Sequence, residues 1–164
     1  MSNIRYTDRV TLYKHTQISY PMLTIALTVL AFFVRAQMLA RAEPPSYDSG
    51  TNFAVTLIMV LIVLLLLSFS TLTVSVDDRD ILVRFGIGIF RKHFPLSEIA
   101  TAVRVRNRWY YGWGIRLRLW PTVWIYNVSG LDAVELTMKN GRLYRIDTNE
   151  PDTLENHIKQ RMIS

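Results

Sequence analysis

Hydrophobic positions follow two regimes that meet near residue 71. Before it they come in unbroken blocks, and after it they alternate. Residues 54–69 (AVTLIMVLIVLLLLSF) hold no charge, no Gly and no Pro. With Asn52 and Phe53 before them and Ser70 after, they reach the roughly 20 residues that an α-helix needs to cross a bilayer. Their apolar residues surround the helix instead of forming one stripe, so the segment requires lipid or complete burial. An earlier block, 20–34 (YPMLTIALTVLAFFV), continues past Arg35 through Ala36 to Ala40. Pro21 suits a helix start and Tyr20 an interfacial belt. The pattern predicts transmembrane helices over 20–40 and 52–70, joined by an external loop over 41–51. Pro44-Pro45 and Ser49-Gly50 break that loop, and its shortness makes the helices antiparallel neighbours. Arg35 either marks a site within the membrane or, near the helix end, snorkels to the headgroups. Arg41, Glu43 and Asp48 close by favour snorkelling.

From residue 71 the period becomes two. TLTVSV (71–76) and ILVRFG (81–86) alternate about a turn at Asp77 to Asp80. Further runs cover 89–94, 101–108, 115–119 and 123–128, and 133–138 meets 142–146 across Asn140-Gly141, a strong hairpin signal. The last element returns to helical spacing. Leu154, Ile158 and Met162 share one face, Asn149 or Glu150 can cap its start, and Pro151 sits in its first turn. The expected fold is a membrane α-helical hairpin plus an α+β domain over 71–164: about seven short antiparallel strands in a bent sheet, closed by a C-terminal helix. Residues 1–19 are mixed and polar, and fit an amphipathic membrane-surface segment, a short strand or a docked helix.

Composition narrows the class. The 164 residues carry a net charge of +6 and no Cys, which excludes disulfides, thiol catalysis and Cys-ligated metals. A basic balance beside membrane segments points to a bilayer surface or an acidic partner rather than nucleic acid. Arg5, Arg9 and Lys14 precede the first block, and Arg79, Arg84, Arg91 and Lys92 follow the second. The loop's Arg41, with Arg35, is balanced by Glu43 and Asp48. The distribution places both termini in the cytoplasm.

Candidate chemistry is sparse. His15, His93 and His157 lie on separate elements without ligand spacing. Asp77, Asp78 and Asp80 crowd a turn, where Asp makes local hydrogen bonds. Gly86-x-Gly88 lacks the rest of a dinucleotide fingerprint. The Asn127-Val128-Ser129 sequon is empty if the domain is cytoplasmic. No catalytic residue, metal site or cofactor is expected. Two features stand out. Arg104, Arg106 and Arg108 alternate, as do Arg116 and Arg118, so pairing of their strands would put five guanidiniums on one face. Such a face would hold anionic headgroups or carboxylates, or be an ordinary solvated sheet face. Trp109, Tyr110, Tyr111, Trp113 and Trp120 cluster beside it. Consecutive aromatics cannot all enter one small core, so some meet lipid or a partner, unless Trp109 and Trp113 fill an open end of the sheet.

RFGIGIFRKHFPLSEI (84–99), WYYGWGIR (109–116) and WIYNVSGLDAVELTMKNGRLYRIDTNEP (124–151) resemble a bacterial pleckstrin-homology-like (PH-like) domain. The likeness covers roughly 71–162 and includes a two-helix membrane hairpin ahead of the domain. It implies a seven-stranded bent sheet with a capping helix, used as a scaffold for lipid, peptide or protein. Phosphoinositide-binding members carry several Lys and Arg in their first two strands. Residues 71–86 hold only Arg79 and Arg84, so that specificity does not carry over.

The expected function is that of a non-catalytic protein of the bacterial inner membrane, an accessory or assembly subunit contacting other integral membrane subunits. The alternative is a surface sensor that reads anionic lipid headgroups through the Arg and Trp residues.

Overall fold

A computed structural model describes residues 11–42 and 49–163. Among the described residues, nine strands form two sheets. The first has the order β1-β2-β3-β4, with β1 Tyr13–Ile18, β2 Thr71–Val76, β3 Asp80–Phe85 and β4 Phe90–Pro95. The second has the order β5-β8-β9-β7-β6, with β5 Ile99–Arg106, β6 Gly114–Leu119, β7 Thr122–Asn127, β8 Asp132–Met138 and β9 Leu143–Asp147. The α+β class and the alternating strands hold, but the count exceeds seven and β7 pairs with β9 in parallel. One reason for the larger count lies ahead of the helices. Tyr13–Ile18 pairs antiparallel with β2, from Tyr13 opposite Val76 to Ile18 opposite Thr71. The described part of the N-terminal segment is therefore a strand of the domain. Residues 1–10 and the loop tip 43–48 lie outside the described residues.

The helices α1 (Tyr20–Ala42) and α2 (Ser49–Ser68) are inserted between two hydrogen-bonded neighbours, β1 and β2. Ser19 organises the junction. Its side chain caps α1 by accepting from the Met22 N–H at 3.3 Å, and its own N–H donates to the Ser70 carbonyl at 2.7 Å. Farther along, Gln37 Nε2 donates to Thr56 Oγ1 at 3.3 Å, so the two helices touch there. Tyr20–Leu39 is long and apolar enough to cross a membrane, and only 6% of that window is buried. It is thus no core helix of a soluble domain. Phe53–Ser68 in α2 is a shorter apolar stretch.

One core lies between the sheets and under α3 (Pro151–Ile163). Phe94 packs edge-on to Tyr144, with ring centroids 4.8 Å apart, and to Tyr126 at 6.1 Å. Leu154 and Ile158 are fully buried in the same cluster. The Glu150 carbonyl accepts from the Leu154 N–H at 3.0 Å, and Pro151 opens the helix as its spacing predicts. Leu154→Ala is expected to cost about 2–5 kcal/mol from lost burial and a residual cavity. Denaturant unfolding of the full chain in mild detergent checks this. A loss below about 1 kcal/mol would mean that α3 is not part of the core.

Candidate interaction surface

The five arginines do not share a face. β5 and β6 occupy opposite edges of the second sheet. Arg104 is held by α3: its Nη1 contacts both oxygens of Asp152 at 3.0 and 2.8 Å, and its Nη2 reaches Asp132 at 3.5 Å. Its backbone N–H also donates to Glu155 at 2.8 Å. The Asp152 carboxylate raises the guanidinium pKa further above its ordinary value. Arg104 is therefore a strut between strand and helix. The alternation Arg104, Arg106, Arg108 revealed a shared strand face, but the sequence could not say that an acidic helix end would cover part of it.

The aromatic segment and the β6 arginines do come together. After β5, a short 3-10 turn spans Trp109–Tyr111. It is tied down at both ends. The Asn107 N–H donates to the Leu131 carbonyl at 2.5 Å, and Asn127 Nδ2 donates to the Gly112 carbonyl at 2.6 Å. That amide is buried, so the sequon asparagine serves as a loop anchor. Arg118 Nη1 donates to Tyr111 Oη at 2.6 Å, with its guanidinium 5.4 Å from the ring centre. Arg108 Nη1 does the same to Tyr110 at 2.8 Å. Arg116 Nε bonds the Trp113 carbonyl at 3.2 Å and packs on Gly112, where a Cβ would meet its guanidinium at 2.9 Å. Gly112 adopts φ +66°, in the left-handed region that favours glycine.

The turn therefore holds its shape through its own network, with its large rings outward. Trp109 is 83% exposed and Tyr110 53%, whereas Tyr111 folds over the sheet beside Ile125. Trp109 does not fill the sheet's end, and Trp113 is 38% exposed. Trp120 is 89% exposed, but it sits at the β6–β7 turn, across the full length of β6 from Trp113. Of the nine expected site residues, Arg108, Trp109, Tyr110, Tyr111, Trp113, Arg116 and Arg118 form one surface. Arg106 is exposed at the end of β5, on the strand face of Arg104. Arg104 belongs to the scaffold.

No family model, curated protein or solved structure matches this chain.

Two buried or half-buried polar clusters escaped sequence reasoning. In the first, Asp147 is fully buried at the end of β9. Its Oδ2 accepts the backbone N–H groups of Val128, Ser129 and Gly130 at 2.9, 3.0 and 3.3 Å, and the side-chain amide of Gln17 from β1. The Gln17 carbonyl oxygen in turn accepts from the Asn149 N–H at 3.0 Å. In the second, His15 and His157 flank the Tyr13 ring, at 6.4 and 5.3 Å between ring centres. Glu150 lies 3.5 Å from His15 Nδ1 and accepts from Tyr13 Oη at 3.3 Å. Burial pushes the Tyr13 hydroxyl up to about 12, so it keeps its proton near neutrality. The contacts of Tyr13, His15 and Gln17 with residues 147–157 join positions 130 or more apart, which no local pattern encodes. The acidic turn behaves as its composition suggests: Asp77 Oδ1 accepts the Arg79 and Asp80 N–H groups at 2.9 and 2.5 Å.

Proposed function

We propose that this chain is a non-catalytic, membrane-anchored interaction module, an accessory or assembly subunit of a larger complex in the bacterial inner membrane. The observation that carries the reading is the Trp109–Tyr111 turn. Trp109 and Tyr110 stand outward on a turn anchored by Asn127, Arg108 and Arg118 instead of collapsing onto the core. Preorganised Trp, Tyr and Arg are the side chains that dominate binding energy in protein interfaces.

Membrane anchoring by both helices has topological support. β1 and β2 are paired, so the chain entering α1 and the chain leaving α2 stand on the same side. A crossing by α1 then requires a return crossing by α2, whose 20 residues span about 30 Å at 1.5 Å per residue. The charge distribution makes that side cytoplasmic. Lateral association of the apolar helix pair with other membrane subunits covers its outward residues. The PH-like reading rests on an antiparallel first sheet, a second sheet facing it and a C-terminal helix over the core. The parallel β7–β9 pair and the ninth strand depart from the seven-stranded pattern.

The test is gentle-detergent extraction from native membranes, comparing the natural chain with Trp109→Ala/Tyr110→Ala/Trp113→Ala. The natural chain is expected to co-migrate with a large complex at fixed ratio, and the triple variant to be lost from it with folding unchanged. Retention of the variant would remove the surface from the interface. Topology is checked by Asp48→Cys and Asn140→Cys in this Cys-free chain. External thiol reagent is expected to reach position 48 and not 140.

Arg108 and Arg116, both exposed at the aromatic turn, support the second reading, anionic headgroup binding. Its test is association of the full chain's domain with vesicles, weakening with salt as the Debye length shortens. Residues 71–164 alone are unsuitable because they lack β1.

A further inference from the structure

The β3–β4 turn, Gly86 to Ile89, lies at the foot of α2. The Gly86 N–H donates to the Thr71 carbonyl at 2.9 Å, and a Cβ on Gly86 would lie 2.9 Å from Ser68 Cα. The rings of Phe85 and Phe90, on either side of the turn, pack on Phe69 at 5.5 and 5.0 Å. Phe69 itself follows directly on the last residue of α2. The turn is braced from within: Arg91 Nε donates to the Gly88 carbonyl at 2.7 Å, and the Arg84 side chain packs over Gly88. Yet Ile87 is 83% exposed, Ile89 63% and Phe90 38%. Arg91 and Lys92 follow at once, both exposed.

A rigid turn that presents two isoleucines to water has no reason in the domain's own packing. At this position it has an obvious partner. α2 is apolar up to Leu67, so the bilayer surface that receives its end passes beside the turn. Apolar side chains with cations behind them are the composition of an interfacial insertion, the former in the acyl boundary and the latter at the headgroups. We propose that the β3–β4 turn inserts into the bilayer interface through Ile87, Ile89 and Phe90, as a third point of membrane contact. With Ser19 and Ser70 holding the helix bases, this contact fixes the tilt of the domain on the membrane and thereby the height at which the aromatic surface is presented. The inference rests on the membrane-spanning reading of the helices, and its occupant is lipid rather than protein because of the continuity with α2.

The test uses the full chain in vesicles of phosphatidylcholine and phosphatidylglycerol, with an environment-sensitive fluorophore on single cysteines. Ile87→Cys and Ile89→Cys are the probes. Leu61→Cys, in the middle of α2, reports on the membrane reading, and Asn140→Cys, at the β8–β9 turn, reports on water. Labels at 87 and 89 are expected to show blue-shifted emission and loss of intensity with brominated acyl chains, as at 61, while 140 shows neither. Water-like emission at 87 and 89 with lipid-like emission at 61 would overturn the insertion alone. Water-like emission at 61 as well would overturn both it and the membrane reading.

Discussion

Asp147→Ala is expected to cost the fold about 3 kcal/mol, because it strands the buried Val128 N–H and weakens the hold on the part-buried Ser129 and Gly130 donors. The carboxylate accepts from Val128, Ser129 and Gly130 and from Gln17 on β1. Without it, the 128–130 turn loses its acceptor, and β1 loses its tie to the second sheet. Because β1 leads into α1 through Ser19, the damage extends to the helix base. Asp147→Asn keeps an acceptor at Oδ2 and removes the charge, so it should cost clearly less. Equal losses for the two variants would mean that the hydrogen bonds do not carry the effect. Unfolding followed by near-ultraviolet circular dichroism in mild detergent reads both.

The same residue gives a pH signature. Burial raises its carboxyl above the ordinary carboxylate value, against the lowering pull of the three turn amides and Gln17. The folded state therefore takes up a proton at a pH where the unfolded chain does not. Between the two values stability rises as pH falls, the reverse of an ion-paired carboxylate. Stability measured against pH should lose this component in Asp147→Asn.

Gly86→Ala is the second large effect. Gly86 has φ +51°, and an added Cβ would overlap the Ser68 carbonyl oxygen and lie 2.9 Å from its Cα. Those are backbone atoms at the end of α2, so nothing flexible can give way. Gly141 supplies the comparison. It has φ +81° with nothing within 4 Å of a built Cβ, so Gly141→Ala pays only the left-handed backbone cost, about 1–2 kcal/mol. Gly86→Ala should exceed it by a further 1–3 kcal/mol, the usual range for overpacking. It should also unseat Phe90 from Phe69. Equal losses would show that α2 does not bear on the β3–β4 turn.

Much of this architecture is written in local pattern. The apolar blocks, the period-two strands, the Asn140-Gly141 hairpin and the Pro151 helix start all depend on side chains a few residues apart. Such positions are set by backbone geometry and by which face must leave water. The aromatic surface was legible for a similar reason: a run of consecutive rings at 109–111, with Trp113 beside it, exceeds what one small core can take in. The five-arginine face was not. Alternation shows that Arg104 and Arg106 share a strand face, but strand order decides which arginines are neighbours, and order depends on contacts made far along the chain.

The sequence by itself thus determined that apolar helices precede an α+β domain, and that Trp and Arg cluster after β5. Only the tertiary structure decided that β1, read from a polar and uninformative stretch, completes the first sheet and sets the helix pair between two adjacent strands. Only it placed Asp147 beside Gln17 and Tyr13 beside His157. The physical reason is the reach of each interaction. Periodicity and turn chemistry act over one or two turns of chain, whereas sheet order and buried polar pairing are settled by closure of the whole core, which brings together residues more than a hundred positions apart.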